Sequence, residues 1–222
     1  MLKTVKWFVS LSQKRLVSSS TSRHALNSAT RSSSYAYLTD NDVAYFREHV
    51  FAGDSARCIT DKQIVHAYNR DWLNITVGQS RLVLLPKSTQ EVSSILKYCN
   101  EKRLAVCPQG GRTGLVGGSV PIFDEIIVST QLMDKIISLD LNSNILNCQS
   151  GCILQRLDDY LSKNGLIMPL DLGAKGSCHI GGNISTNAGG LRLLRYGSLK
   201  GWHLSLSFLL ICFYIFEFFC LL

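Results

Sequence analysis

The sequence predicts an α+β fold in which short strands build mixed sheets and amphipathic helices cover them. Three observations lead there. Arg81 to Pro108 reads as strand, helix, strand. Glu125–Thr130, Ile136–Asp140 and Ile145–Ser150 are three further short strand candidates. Two glycine-dense segments, Val106–Gly118 and Met168–Gly190, each follow a β/α stretch. A chain of 222 residues is long enough for a substantial core, as one large domain or two small ones.

Thr39 or Asp40 can cap a helix whose Val43, Phe46 and Val50 form one apolar stripe. "RLVLLP" reads as a buried strand stopped by Pro86. Ser88-Thr89-Gln90-Glu91 is a capping-box signal for a helix with Val92, Ile95, Leu96 and Cys99 inward. "RLAVCP" follows as a second strand, which completes a βαβ unit with the first glycine segment at its carboxyl end. Asn142-Ser143-Asn144 supplies turn chemistry between the last two strand candidates. Cys152–Asn164 reads as a helix with Ile153, Leu154, Leu157, Tyr160 and Leu161 inward and Gly165 as its C-cap.

Composition narrows the function classes. Met1–Ser34 holds six Lys or Arg, ten Ser and no acid, so six of the +7 formal charge lie there and the rest of the chain is +1. No separate basic patch with interleaved aromatics remains, which argues against a nucleic-acid partner. With Leu2, Val5 and Val9 at helical spacing, residues 1–38 read as a mitochondrial transit peptide, cleaved before Asp40. The eight cysteines form neither a CxxC pair nor paired His spacing, so no metal site is expected. Cys99, Cys107 and Cys148 sit in apolar runs as free thiols, as suits a reduced compartment.

"VCPQGGRTGLVGG" packs five glycines into thirteen positions, the usual means of bringing backbone close to a phosphate. A Walker loop is excluded, because Leu115 and Val116 stand where Lys and Ser or Thr would be required. A Rossmann turn is excluded too: the loop runs into Gly118, Ser119 and Pro121 and then the β-like "EIIVST". What remains is an anion-holding glycine loop between two strands, or a plain surface turn. The second segment adds Asn183, Ser185, Thr186 and Asn187, which can hydrogen-bond a polar ligand. Together the two segments can clamp one elongated ligand with phosphates in its middle.

"YNRDWL", "PQGGRTGLVGGSVPIFDEII", "MPLDLGAKGSCHIGGN" and "STNAGGLRLLRYGSL" resemble the D-2-hydroxyglutarate dehydrogenases, mitochondrial flavoenzymes of the vanillyl-alcohol-oxidase superfamily. The resemblance runs from about Asp42 to Gly201, and the second glycine segment is its more specific part. It implies a PCMH-type FAD-binding domain, incomplete at its C-terminal side. The expected division is a transit peptide over 1–38, a helical lead-in over 39–80, the partial FAD domain over 81–201 and a hydrophobic tail outside the family over 202–222.

By that resemblance, FAD binds without a Rossmann helix. Pro108, Gly110, Gly111, Arg112, Thr113, Gly114, Gly117 and Gly118 would hold its pyrophosphate. Pro169, Leu170, Gly176, Ser177, Gly181, Gly182, Asn183, Thr186, Asn187 and Gly190 would line the flavin and ribityl chain. Arg112 departs from the family, where Asn is usual; it can pair with a phosphate or crowd the cradle. It also stands where covalent members place a flavin-linking His, so noncovalent FAD is expected. His179 reads as part of the cofactor pocket and not as a base. Asp171 reads as a turn residue before it reads as a flavin contact, and Arg192 and Arg195 are equally open to an acidic ligand or a structural pairing.

Leu204–Leu222 is 19 residues long and nearly all apolar apart from its serines and Glu217. Two readings stay open: a C-terminal membrane anchor, or unrelated sequence joined beyond a family core. The family's region after "RYGSL", with its metal-binding and proton-accepting histidines, has no counterpart, so no catalytic residue is assigned. The expected function is the FAD-binding part of a dehydrogenase for a D-2-hydroxy acid that feeds an electron-transfer acceptor, inactive as this chain. The alternatives are a D-lactate or glycolate dehydrogenase-like flavoenzyme, or a non-catalytic flavin-binding or membrane-anchored fragment.

Overall fold

The capping signal at Thr39 marks where the helical part begins. In a computed structural model describing residues 30–205 and 219–221, helix α1 (Asp40–Tyr45) opens on a reciprocal capping box. The Thr39 side chain accepts from the Asp42 amide, and the Asp42 carboxylate accepts from the Thr39 amide at 2.8 Å. The chain continues as a π-helical stretch, Phe46–Val50, so the expected apolar stripe spans two helix types. Backbone pairing starts before Thr39: the Ala36 amide donates to the Arg103 carbonyl at 2.9 Å.

The first sheet contains β1 (Cys58–Ile59), β2 (Val83–Leu84), β3 (Val106–Gln109) and β4 (Ile126–Ser129) in the order β1-β2-β4-β3. β4 runs parallel to both β2 and β3, whereas β1 is antiparallel to β2. Helix α2 (Lys62–Tyr68), capped by Asp61, precedes β2, and helix α3 (Thr89–Glu101) joins β2 to β3. The expected strand, helix, strand succession is therefore present, but β4 lies between its two strands. Every residue of Leu82–Leu85 and Ile126–Ser129 is buried, as parallel strands covered on both faces require.

The α3 cap differs from the sequence expectation. Ser88 accepts from the Glu91 amide, but the Glu91 carboxylate takes the Lys87 amide at 2.7 Å, not that of Ser88. Glu91 also holds Arg57 at 2.7 Å. A stronger charged partner has taken the carboxylate from the cap.

β5 (Ile136–Asp140) and β6 (Ile145–Cys148) form an antiparallel hairpin in a second sheet. Asp140 accepts from the Asn142 amide and the Ser143 hydroxyl, and Asn144 adopts φ 55°, so the expected turn chemistry is in use. Helix α4 (Leu154–Ser162) buries Leu154, Leu157 and Leu161 against Leu146, Met168 and Leu170. Beyond it come α5 (Ile180–Ser185) and α6 (Leu193–Tyr196). Strand β7 (His203–Ser205) and strand β8 (Phe219–Leu221) pair antiparallel, and β8 also pairs with β6.

The described residues from Ser32 onward form one compact unit. Cys58, Cys99, Cys107, Cys148, Cys152 and Cys178 are all free and buried within it. Burial pushes the Cys99 and Cys107 thiols up to about 12, so they serve as small apolar groups, as the sequence suggests. The leader expectation falls mainly on residues 1–29, outside the described residues. Most of Leu204–Leu222 lies outside them too; among the described residues no helix is long and apolar enough to cross a membrane.

Candidate flavin-binding site

The first glycine segment leaves the carboxyl end of β3, and the second is held against the entry of α4. Backbone bonds fix this second segment: Leu154 donates to Cys178 at 3.1 Å, Ile180 to Cys152 at 2.9 Å, Gly181 to Ser150 at 2.8 Å and Gln155 to Lys175 at 2.9 Å. Its Gly181-Gly182-Asn183 falls in the first turn of α5, a short helix that the sequence reading did not separate from the loop.

The two segments touch. A Cβ at Gly111 would overlap the Ser177 carbonyl oxygen, so glycine is required there for backbone to meet backbone. Gly110 lies along the His179 ring. Gly190, at φ 76°, stands against the Asp171 carbonyl with no room for a side chain. In contrast, Gly114, Gly118, Gly176 and Gly182 have no atom within 4 Å of an added Cβ. The first group of glycines answers to packing, and the second faces open space.

A cleft of about 360 Å³ opens beside this contact, lined by Trp72, Thr113, Leu115, Gly173, Ala174, Gly176 and Ser177. A larger cavity, about 540 Å³, lies elsewhere, between α1 and α2, and shares no residue with either glycine segment. The smaller cleft is the one that both glycine segments line.

The side chains around the first segment are tied to the end of α2. The Arg112 guanidinium donates to the Ala67 carbonyl and lies 4.7 Å from the centre of the Tyr68 ring. Gln109, almost fully buried, donates through Nε2 to the Tyr68 and Ser119 carbonyls at 2.9 and 2.8 Å. The bonds to Ala67 and Tyr68 satisfy carbonyls that the C-terminus of α2 leaves open. The Gln109 Oε1 is buried and has no hydrogen-bond partner among the described residues, an acceptor that a ligand or solvent donor would satisfy.

His179 is 9% exposed, and its Nδ1 lies 3.0 Å from the Thr130 hydroxyl. Burial pushes its pKa below the ordinary histidine value, and the Arg112 charge acts in the same direction. The ring is therefore neutral at neutral pH.

The other expected residues divide by surroundings. Pro169 and Leu170 are buried, Leu170 in the α4 core. Asn183 turns inward, its Nδ2 3.4 Å from the Cys178 sulfur. Thr186 bonds back to the Gly182 carbonyl, and Asn187 accepts from the Ser198 hydroxyl at 2.8 Å. Ser177 is exposed at the cleft, whereas Pro108 lies in β3. Gly117, at φ 71°, adjoins Thr76. Asp171 pairs with Lys175 at 3.2 Å, and Arg192 pairs with Asp158 at 3.1 Å, so both have structural partners. Sequence reasoning assigned no role to Gln109, Thr130 or Trp72. "YNRDWL" contains Trp72 and Gln109 precedes the double glycine, whereas Thr130 carried no signal beyond closing the strand candidate "EIIVST".

A glycine-lined cleft at the end of a parallel strand, with neither a Walker lysine nor a Rossmann helix, defines a nucleotide-cofactor domain of a different kind. Residues 80–211 match the family described as "FAD binding domain", and the chain belongs to that family. It is 57% identical over 176 residues to the mitochondrial D-2-hydroxyglutarate dehydrogenase of Danio rerio, spanning 79% of this chain and 32% of that protein. The enzyme of the same name from Arabidopsis thaliana is 58% identical over 173 residues, 78% of this chain and 30% of that one. The chain thus spans about a third of the length of these curated relatives. A solved alkyldihydroxyacetonephosphate synthase shares the fold with a TM-score of 0.66 at 19% identity, covering 80% of this chain and 38% of that one.

Proposed function

We propose that this chain supplies the pyrophosphate-holding part of the FAD site of a dehydrogenase acting on D-2-hydroxyglutarate. The observation that carries the proposal is the contact of Gly111 with Ser177, flanked by glycines that face open space. The glycines suit a dinucleotide because they let backbone amides come close to a pyrophosphate; the buried Gln109 Oε1, without a hydrogen-bond partner among the described residues, is an acceptor for a hydroxyl and not a phosphate contact.

Gly110, Gly111, Arg112, Thr113, Gly114, Gly117 and Gly118 would hold the pyrophosphate through their backbone, with Pro108 fixing the loop at its strand end. Gly176, Ser177, Gly181, Gly182, Asn183, Thr186, Asn187 and Gly190, with Pro169 and Leu170 behind them, would shape the flavin end. FAD bound there would accept a hydride from C2 of the hydroxy acid. The binding is noncovalent, because the Arg112 guanidinium is no flavin-linking group and its side chain is engaged on α2.

The chain's own residues bind, orient and exclude water; neither glycine segment presents a base for the substrate hydroxyl. His179 is buried against Thr130 and fixes the loop. The relatives' names and the Arg- and Ser-rich N-terminus support a mitochondrial location. An electron-transfer acceptor would reoxidise the flavin.

Titrating the full chain with FAD and recording the visible flavin spectrum tests this reading. Saturable binding is expected, without turnover of D-2-hydroxyglutarate in the presence of an artificial acceptor. A folded chain that takes up no flavin would refute it.

A further inference from the structure

The larger cavity, about 540 Å³ between α1 and α2, is unusually basic for a chain whose charge lies mostly at its N-terminus. Arg47, Lys62 and Arg81 line it with His66, and Asp40 is its single carboxylate. None of the three strong cations has an ion pair or side-chain hydrogen bond among the described residues. By comparison, Arg57, Arg156 and Arg192 all find carboxylates.

A solvated basic face would explain Lys62 and Arg81, which are exposed. It does not explain Arg47, whose Nε is buried and has no hydrogen-bond partner among the described residues. A buried guanidinium N–H without an acceptor costs free energy that a bound anion would recover. The cavity floor is firm: Asn69 donates to the Ser80 carbonyl at 2.9 Å and accepts from the Ser80 amide at 3.0 Å. Val65, also buried, completes it.

We propose that this cavity is an oxyanion site for a small dianion, a phosphate or a dicarboxylate, with Arg47 as the inner ligand and Lys62 and Arg81 at its mouth. Two negative charges match three cations offset by one carboxylate. The site shares no residue with the FAD cleft, so it stands or falls separately from the flavin reading.

Calorimetric titration of the full chain with inorganic phosphate and with succinate, at low ionic strength, tests the proposal. At least one probe should bind saturably, and Arg47→Gln and Arg81→Gln should each weaken it about tenfold, as the loss of one charge-assisted contact does. Lys163→Gln, which removes a charge from the end of α4, should leave binding unchanged. Arg81 is exposed, so its variant reports even if Arg47→Gln perturbs folding. The proposal is overturned if neither probe binds a chain shown folded by circular dichroism. It is equally overturned if Arg81→Gln binds as the wild type does, which would place the anion elsewhere.

Discussion

The backbone of Gly111 rests against the carbonyl oxygen of Ser177, and this one contact joins two glycine segments that lie far apart in sequence. A methyl group at position 111 has no room unless one segment moves. Gly111→Ala should therefore destabilise the chain by about 1–3 kcal/mol, the usual cost of overpacking, and abolish flavin binding. Chemical denaturation with a parallel FAD titration measures both effects.

Gly114 and Gly118 make the complementary case, because an added Cβ at either meets nothing within 4 Å. Gly114→Ala and Gly118→Ala should leave the unfolding free energy within about 0.5 kcal/mol of wild type. If that open space belongs to FAD, both should weaken its binding at least tenfold. Unchanged affinity would assign the space to solvent.

Arg112 holds its guanidinium on the Ala67 carbonyl and over Tyr68, at a backbone φ of 57°. Arg112→Ala should cost about 1–2 kcal/mol of stability through the lost hydrogen bond and ring contact. The salt dependence of FAD binding should not change, because the side chain supports the loop and its charge is not aimed at a phosphate. A flattened salt dependence in the variant would show a phosphate contact instead.

Because the folded-state pKa of His179 lies below the unfolded value near 6.5, the unfolded chain binds more protons between the two. Stability contributed by the neutral ring is fully present above that range and falls as the pH drops through about 6.5 toward the folded pKa. Thermal unfolding from pH 7.5 to 5.5 should show this loss in the wild type and a smaller one in His179→Gln.

Glu91 holds Arg57, and Arg57 lies 4.5 Å from the centre of the Phe51 ring and 3.0 Å from Asp54. Glu91→Gln should destabilise the chain by about 2–3 kcal/mol, since a buried guanidinium loses one of two charged partners. Denaturant unfolding gives the value directly.

Local signals were legible wherever one short-range cause dominates. The cap at Thr39, the turn at Asn142-Ser143-Asn144 and the 3.6-residue stripe of α4 all appear as the sequence suggests. What escaped is set by distant partners. Glu91 is drawn from its cap by Arg57, 34 residues away, and β4 inserts between β2 and β3. In the site, glycine density was visible but not its division of labour. Nothing local distinguishes Gly111, fixed by Ser177, from Gly114, which faces open space. Nor could sequence show that Arg112 would turn to the end of α2.

The central claim is that the two glycine segments, joined at Gly111 and Ser177, form one FAD cradle. Titration of the full chain and of Gly118→Ala with FAD, followed by quenching of flavin fluorescence, tests it most directly. The account predicts saturable binding by the wild type and at least tenfold weaker binding by a variant of unchanged stability. A folded wild-type chain that leaves flavin fluorescence unquenched, or a variant that binds as tightly as wild type, would contradict it.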